Sequence, residues 1–123
     1  MASSAFDPGA LLARSYPLPT GERVRLRLLR TSDAAAVRQL LVEAGAVPDE
    51  LEVRRLLSFD PRDRIAIAAV TPRPRGEALL GAGAIDLIPG ADPDAIVVDP
   101  SCGDALEDLL SSALRARARR AAA

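Results

Sequence analysis

The sequence predicts an α+β domain: a mostly antiparallel four-stranded sheet covered by three helices, in the order β-α-α-β-β-β-α. Three observations lead there. Gly21 to Arg30 alternates, with Val24, Leu26 and Leu28 on one side and Arg23, Arg25 and Arg27 on the other. That is the period-2 pattern of a strand with one dry and one charged face. Two helical stripes come next, before any further strand. Three apolar runs then come separated by short stretches rich in Pro and Gly. Strands joined by short reversals lie antiparallel, which leaves the helices to cover the sheet.

Taken in order, Met1 to Thr20 is rich in Ser, Pro, Gly and Ala. Ala10 to Arg14 suits one helical turn, and Pro17 and Pro19 keep the chain extended from there. Residues 1–20 are therefore read as a flexible N-terminal arm, ahead of a domain over 21–119 and a tail over 120–123. After the alternating strand, Thr31-Ser-Asp33 supplies helix caps. Ala36, Val37, Leu40, Leu41 and Ala44 then form a helical stripe that ends at Gly45. Pro48 and the acids Asp49 and Glu50 open a second helix, whose apolar residues are Leu51, Val53, Leu56 and Leu57.

Arg64 to Val70 reads as a strand buried on both faces, and Thr71 to Glu77 as a reversal. The chain returns over Ala78 to Ile88, where Gly81 and Gly83 signal a bulge or the close approach of another backbone. Pro89 to Pro93 turns it again into a last strand around Ile96, Val97 and Val98, stopped by Asp99-Pro100. A helix comes after it, capped by Ser101 or Asp104. Its stripe is Leu106, Leu109, Leu110, Ala113 and Leu114, and it runs to about Arg119.

A chain of 123 residues makes one domain. With two Phe, one Tyr and no Trp, its core must be aliphatic. The sixteen basic residues are all Arg, so no lysine is present as a nucleophile. No His and one Cys exclude a Ser-His-Asp triad, a Cys-His pair, a Cys/His zinc site and a disulfide framework. A net charge of −1 and few aromatic residues argue against nucleic acid. The stripe Arg23, Arg25, Arg27 and the basic run Arg115 to Arg120 read as a solvated strand face and a dipole-complementing helix end. The first residues lack the basic and apolar regions of a signal peptide, and no run approaches a membrane span. A cytoplasmic location is expected.

The stretch from Ala95 to Leu110 combines a strand, a polar turn and a helix N-terminus, a place where backbone N–H groups can face an anion. Beside it stand the carboxylates Asp99, Asp104, Glu107 and Asp108, which repel an anion while suiting the helix dipole. Cys102 lies near this helix start, a setting that lowers a thiol pKa. With no His partner, it is read as a small turn residue.

Arg23-Val-Arg-Leu-Arg-Leu-Leu-Arg-Thr-Ser-Asp-Ala-Ala-Ala-Val-Arg-Gln-Leu-Leu41 resembles the opening strand and first helix of the GCN5-related N-acetyltransferases. The likeness runs from Arg23 to Arg119 and spans the first half of that family's domain. It implies a partial acyl-CoA N-acyltransferase-like fold, acetyl-CoA as cofactor and transfer of an acetyl group to an amine. By the same resemblance Val97, Val98, Ser101, Cys102, Gly103, Asp104 and Ala105 stand where the cofactor would bind. Asp86 and Asp94, beside strand ends, are the candidate general bases. The family's turn has the pattern Gln/Arg-x-x-Gly-x-Gly/Ala; here the leading Gln/Arg is missing and the turn is shorter. The family's further strand and its tyrosine acid also have no counterpart, since Tyr16 is the only tyrosine and the chain ends at Ala123. The expectation is a truncated, degenerate relative, with activity weak or lost.

The alternative is a non-catalytic interaction or regulatory module. In that case the edge at residues 95–98, or the helix over 104–119, would meet a second copy as a homodimer, or a partner chain.

Overall fold

A computed structural model describes residues 14–57 and 60–122. The helical turn expected over Ala10 to Arg14 falls almost wholly outside these residues. Five strands form one sheet in the order β1-β2-β3-β4-β5. They are β1 (Ser15–Pro17), β2 (Arg23–Leu28), β3 (Arg64–Arg73), β4 (Gly76–Asp86) and β5 (Val97–Val98), and every neighbouring pair is antiparallel. The helices are α1 (Ala34–Glu43), α2 (Glu50–Leu57) and α3 (Gly103–Ala122). Short 3-10 turns at Thr31–Asp33 and Pro100–Cys102 lead into α1 and α3.

The class and the order of the elements are as expected; the strand count is five, not four. The additional strand, Ser15–Pro17, lies within the stretch read as an arm and pairs Tyr16 with Val24. Proline is tolerated there because β1 is an edge strand, where a missing N–H breaks no inner ladder. The reversal expected over Thr71 to Glu77 is tighter. β3 runs on through Pro72, opposite Glu77, and only Pro74 and Arg75 separate the paired Arg73 and Gly76. The β2–β3 ladder ends at Arg25 and Val70, so Pro72 interrupts no pairing with β2. Gly76 holds φ +117°, a value that L side chains rarely adopt. β4 closes at Asp86, short of the expected Ile88, and α3 continues past Arg119 to Ala122.

The two faces of the sheet are filled differently. On one, Val24 and Leu26 of β2 and Ile65, Ile67 and Ala69 of β3 pack with Leu106, Leu110 and Leu114 of α3. On the other, small residues dominate: Ala66, Ala68, Ala82 and Ala84 meet Val37 of α1 and Val53 and Leu56 of α2. Between them lies a β-bulge. Ala69 pairs with Gly81 and Val70 with Leu79, leaving Leu80 without a partner on β3. Both Gly81 and Gly83 lie directly under α3. A Cβ on Gly81 would sit 2.9 Å from Leu110 Cδ1, and one on Gly83 would sit 3.0 Å from Leu114 Cδ1. The bulge signalled by these glycines is present, but what approaches them most closely is side chains, chiefly leucines of α3, rather than another backbone.

Arg27 is not solvated like its neighbours. Its guanidinium donates to both carboxylate oxygens of Asp33 at 2.8 Å and to Glu77 through Nε at 2.8 Å. Asp33 also accepts from the Arg30 backbone N–H at 2.7 Å. This cluster fixes the entry to α1 against the sheet, where a free carboxylate buried to this degree would be costly.

Candidate functional site

β5 is short because only Val97 and Val98 align with Gly81 and Ala82 of β4. Flanking bonds extend the contact: the Asp94 N–H donates to the Ala84 carbonyl at 3.0 Å, and the Asp99 N–H to the Leu80 carbonyl at 2.8 Å. The second bond uses the bulged residue of β4. The bulge therefore helps to set where β5 ends and the turn toward α3 begins.

In that turn Asp99 caps the 3-10 segment Pro100–Cys102 that leads into α3. Its Oδ1 accepts from the Ser101 N–H at 2.9 Å and from the Ser101 hydroxyl at 2.8 Å. An Asp just before a proline-led turn is well suited to accept from the amide two residues on. The Cys102 N–H donates to the Asp99 carbonyl at 2.9 Å, and Gly103 turns the chain into α3 at φ +60°. Cys102 itself is buried, and burial pushes its thiol up, with the fields of Asp99 and Glu22 adding to the rise. The lowered thiol pKa that a helix N-terminus favours is therefore absent. Val97, Val98 and Ala105 are half-buried, and Ser101, Gly103 and Asp104 are exposed. The seven residues expected at a cofactor thus do lie along one β-to-α junction.

The fit to a diphosphate is poor. A phosphate at a helix start needs backbone N–H groups aimed outward and no competing anion. Here the Asp99 carboxylate already takes the Ser101 N–H and hydroxyl, and Glu22 adds a second negative field at Cys102. At an effective dielectric of 20, one unit charge against another at 4 Å costs about 4 kcal/mol. The residues present do not suit the pyrophosphate of acetyl-CoA.

The two candidate bases are brought together by a residue that carried no sequence signal, Arg64 at the start of β3. Its Nη1 donates to Asp86 at 2.9 Å and to Asp94 at 2.7 Å, and its Nη2 donates to the other Asp94 oxygen at 2.7 Å. The Arg64 hydrogen bonds hold the Asp94 carboxyl below the usual carboxylate range. A general base works best with a pKa near the working pH, so this pairing moves Asp94 away from that role.

Beside the clamp, a groove of about 410 Å³ opens between α1, α2 and β5. Leu41, Leu56 and Ile96 give it apolar walls, and Arg55, Arg64 and Asp94 line it with charge. Among the described residues no group of three or more His, Cys, Asp or Glu is placed to hold a metal ion, and no helix is long and apolar enough to cross a membrane.

No family model matches the chain, and no curated protein matches it. Among solved structures it is similar to the crystal structure of the GNAT domain of S. lividans PAT, with a TM-score of 0.61 at 18% identity. The match covers 85% of this chain and 73% of that one. At that identity the likeness establishes the fold: this chain has an acetyltransferase-like fold.

Proposed function

We propose, on the premise of that fold, an N-acetyltransferase-like protein that does not hold acetyl-CoA tightly on its own, so that acetyl transfer to an amine is weak or lost. One observation carries this reading: the Asp99 carboxylate occupies the Ser101 N–H and hydroxyl at the β-to-α junction. An arriving diphosphate would have to displace a carboxylate that is covalently tethered two residues away. It would do so in a turn already carrying negative charge.

Titrating the protein with acetyl-CoA while following thermal unfolding tests this directly. The expected result is no saturable change in Tm at millimolar cofactor. Saturation at a hundred times the dissociation constant would stabilise by about 2.7 kcal/mol, a rise of roughly 10 °C for a chain of this size. A rise of that kind would overturn the reading.

A second role, as an interaction module, is favoured by the sheet edge. β5 pairs with β4 on one side and is the last strand of the sheet on the other. It presents Val97 and Val98, both half-buried, and such an edge is a template for another strand. Pairing with a second copy predicts that sedimentation velocity will show a dimer whose population grows with concentration. The substitution Val98→Pro, which removes an N–H on the side of β5 turned away from β4, should abolish it. A single monomeric species at the highest concentration reached removes self-association from consideration.

A further inference from the structure

We propose that the β5 strands of two copies pair antiparallel about a two-fold axis at Val97, joining two five-stranded sheets into one. The inference rests on the self-association reading above and fixes its geometry. Along β5, backbone groups alternate between facing β4 and facing away. Val97 and Val98 stand opposite Ala82 and Gly81, and the Asp99 N–H donates to the Leu80 carbonyl. The backbone groups of Val97 therefore face β4 as well, while those of Val98 and Ile96 face away. Ile96 continues alongside β4, since a Cβ on Gly83 would sit 3.6 Å from its Cα. This outer edge is closed at both ends. Pro100 has no N–H to give, and the Asp94 N–H is spent on the Ala84 carbonyl.

So short an edge selects one register with itself. With the two-fold at Val97, Ile96 of each copy meets the partner's Val98, and each of these residues gives and accepts a backbone bond. Every outward donor of the edge is then satisfied. Centred on Val98 instead, the pairing sets Ile96 against the partner's Pro100, which cannot donate. Centred on Ile96, it sets Val98 against the partner's Asp94, whose N–H is already committed. A shift by a single residue sets outward groups against inward ones and forms no ladder. Charge beside a sheet edge usually discourages such pairing. Here Arg64 holds the Asp94 carboxylate and Ser101 engages that of Asp99. Residues directly opposed in a ladder share a face. The partner's Val97 therefore stands beside the Val97 that lines the groove between α1, α2 and β5, and the second copy adds a wall residue to that groove.

The test is disulfide trapping of the full-length protein in a glutathione redox buffer, read on non-reducing gels, with sedimentation velocity on the same samples. Across the two-fold the Cα atoms of the two Val97 residues fall about 4.5 Å apart, which a disulfide spans. The two Ile96 residues are diagonal neighbours, about 7–8 Å apart, which a disulfide does not span. Val97→Cys should therefore form covalent dimer at least about tenfold faster than Ile96→Cys, and adding Val98→Pro should remove that crosslink. Ile96→Cys mixed with Val98→Cys should crosslink, although neither does so alone. Buried Cys102 stays in every variant, with the parent protein as its control. A concentration-dependent dimer in which Ile96→Cys crosslinks as fast as Val97→Cys, or in which Val97→Cys forms no crosslink, overturns the two-fold at Val97 and leaves self-association standing. A monomer at every concentration, with no crosslink in any variant, overturns both.

Discussion

Leu110→Ala is expected to lower stability by about 3–5 kcal/mol and Tm by roughly 10–20 °C, measured by denaturant and thermal unfolding. Leu110 is fully buried on the face of α3 that meets β2, β3 and β4. Its Cδ1 lies where a Cβ on Gly81 would come within 2.9 Å. Truncation therefore opens space above a glycine that has no side chain to relax into it, so little of the cavity collapses. Gly81→Ala placed in the same background should recover part of the loss. The new methyl would occupy the vacated space, although in the parent protein it would crowd Leu110. A coupling of at least about 0.5 kcal/mol between the two sites is expected from groups in direct contact. A loss below about 1 kcal/mol for Leu110→Ala would mean that α3 does not rest on the bulged strand as described.

Asp33→Asn is the second large effect, about 1.5–3 kcal/mol of stability lost at neutral pH. The Arg27 and Asp33 side chains are only 13% and 11% exposed, and Asn cannot provide two charged acceptors for the guanidinium. The change should also alter the pH dependence. Hydrogen bonds from Arg27, and then from the Arg30 backbone, hold the Asp33 carboxyl below its ordinary value. A carboxyl depressed on folding contributes stability that is fully present above its unfolded pKa of about 3.9. That contribution is lost as pH falls through the lower folded value. The parent should therefore lose stability below about pH 4, and Asp33→Asn should show a shallower decline. Asp94, depressed by Arg64, keeps some slope in the variant. Parallel curves for the two proteins would contradict the pairing.

What was legible in the sequence, and what was not, divides by distance along the chain. β2 was plain because alternating Val, Leu and Arg is a local signal, and the stripe Leu106, Leu110, Leu114 gave both α3 and its buried face. Gly81 and Gly83 announced an anomaly correctly, because a strand position without a side chain leaves room that some neighbour must fill. β1 was missed because a stretch rich in Ser, Pro, Gly and Ala reads as an arm, and only the position of β1 at the sheet edge accommodates Pro17 in a strand.

The 3-10 turn over residues 100–102 ahead of α3 was not visible in the sequence, and it is this turn that brings the Asp99 carboxylate to the Ser101 amide as its cap. Arg27 and Arg64 were illegible in kind. The first has partners 6 and 50 residues away and the second 22 and 30, so the registers of β2, β3 and β4 had to exist before either cluster could be seen. For the same reason the groove, assembled from α1, α2, β3 and β5, left no mark on any one stretch.

The inner strand β3 also matters to the chain before it folds. From Ile65 to Pro72 it carries no charge, and from Ile65 to Thr71 every residue is buried once the sheet forms. Outside the fold, a run of this kind is prone to stack with its counterpart on a neighbouring chain. Arg64 and Arg73 stand at its two ends and Pro72 just inside one of them. Like-charge repulsion and a missing N–H act there as gatekeepers against aggregation, and in the folded protein the same two arginines are held in ion pairs with Asp94 and Glu22.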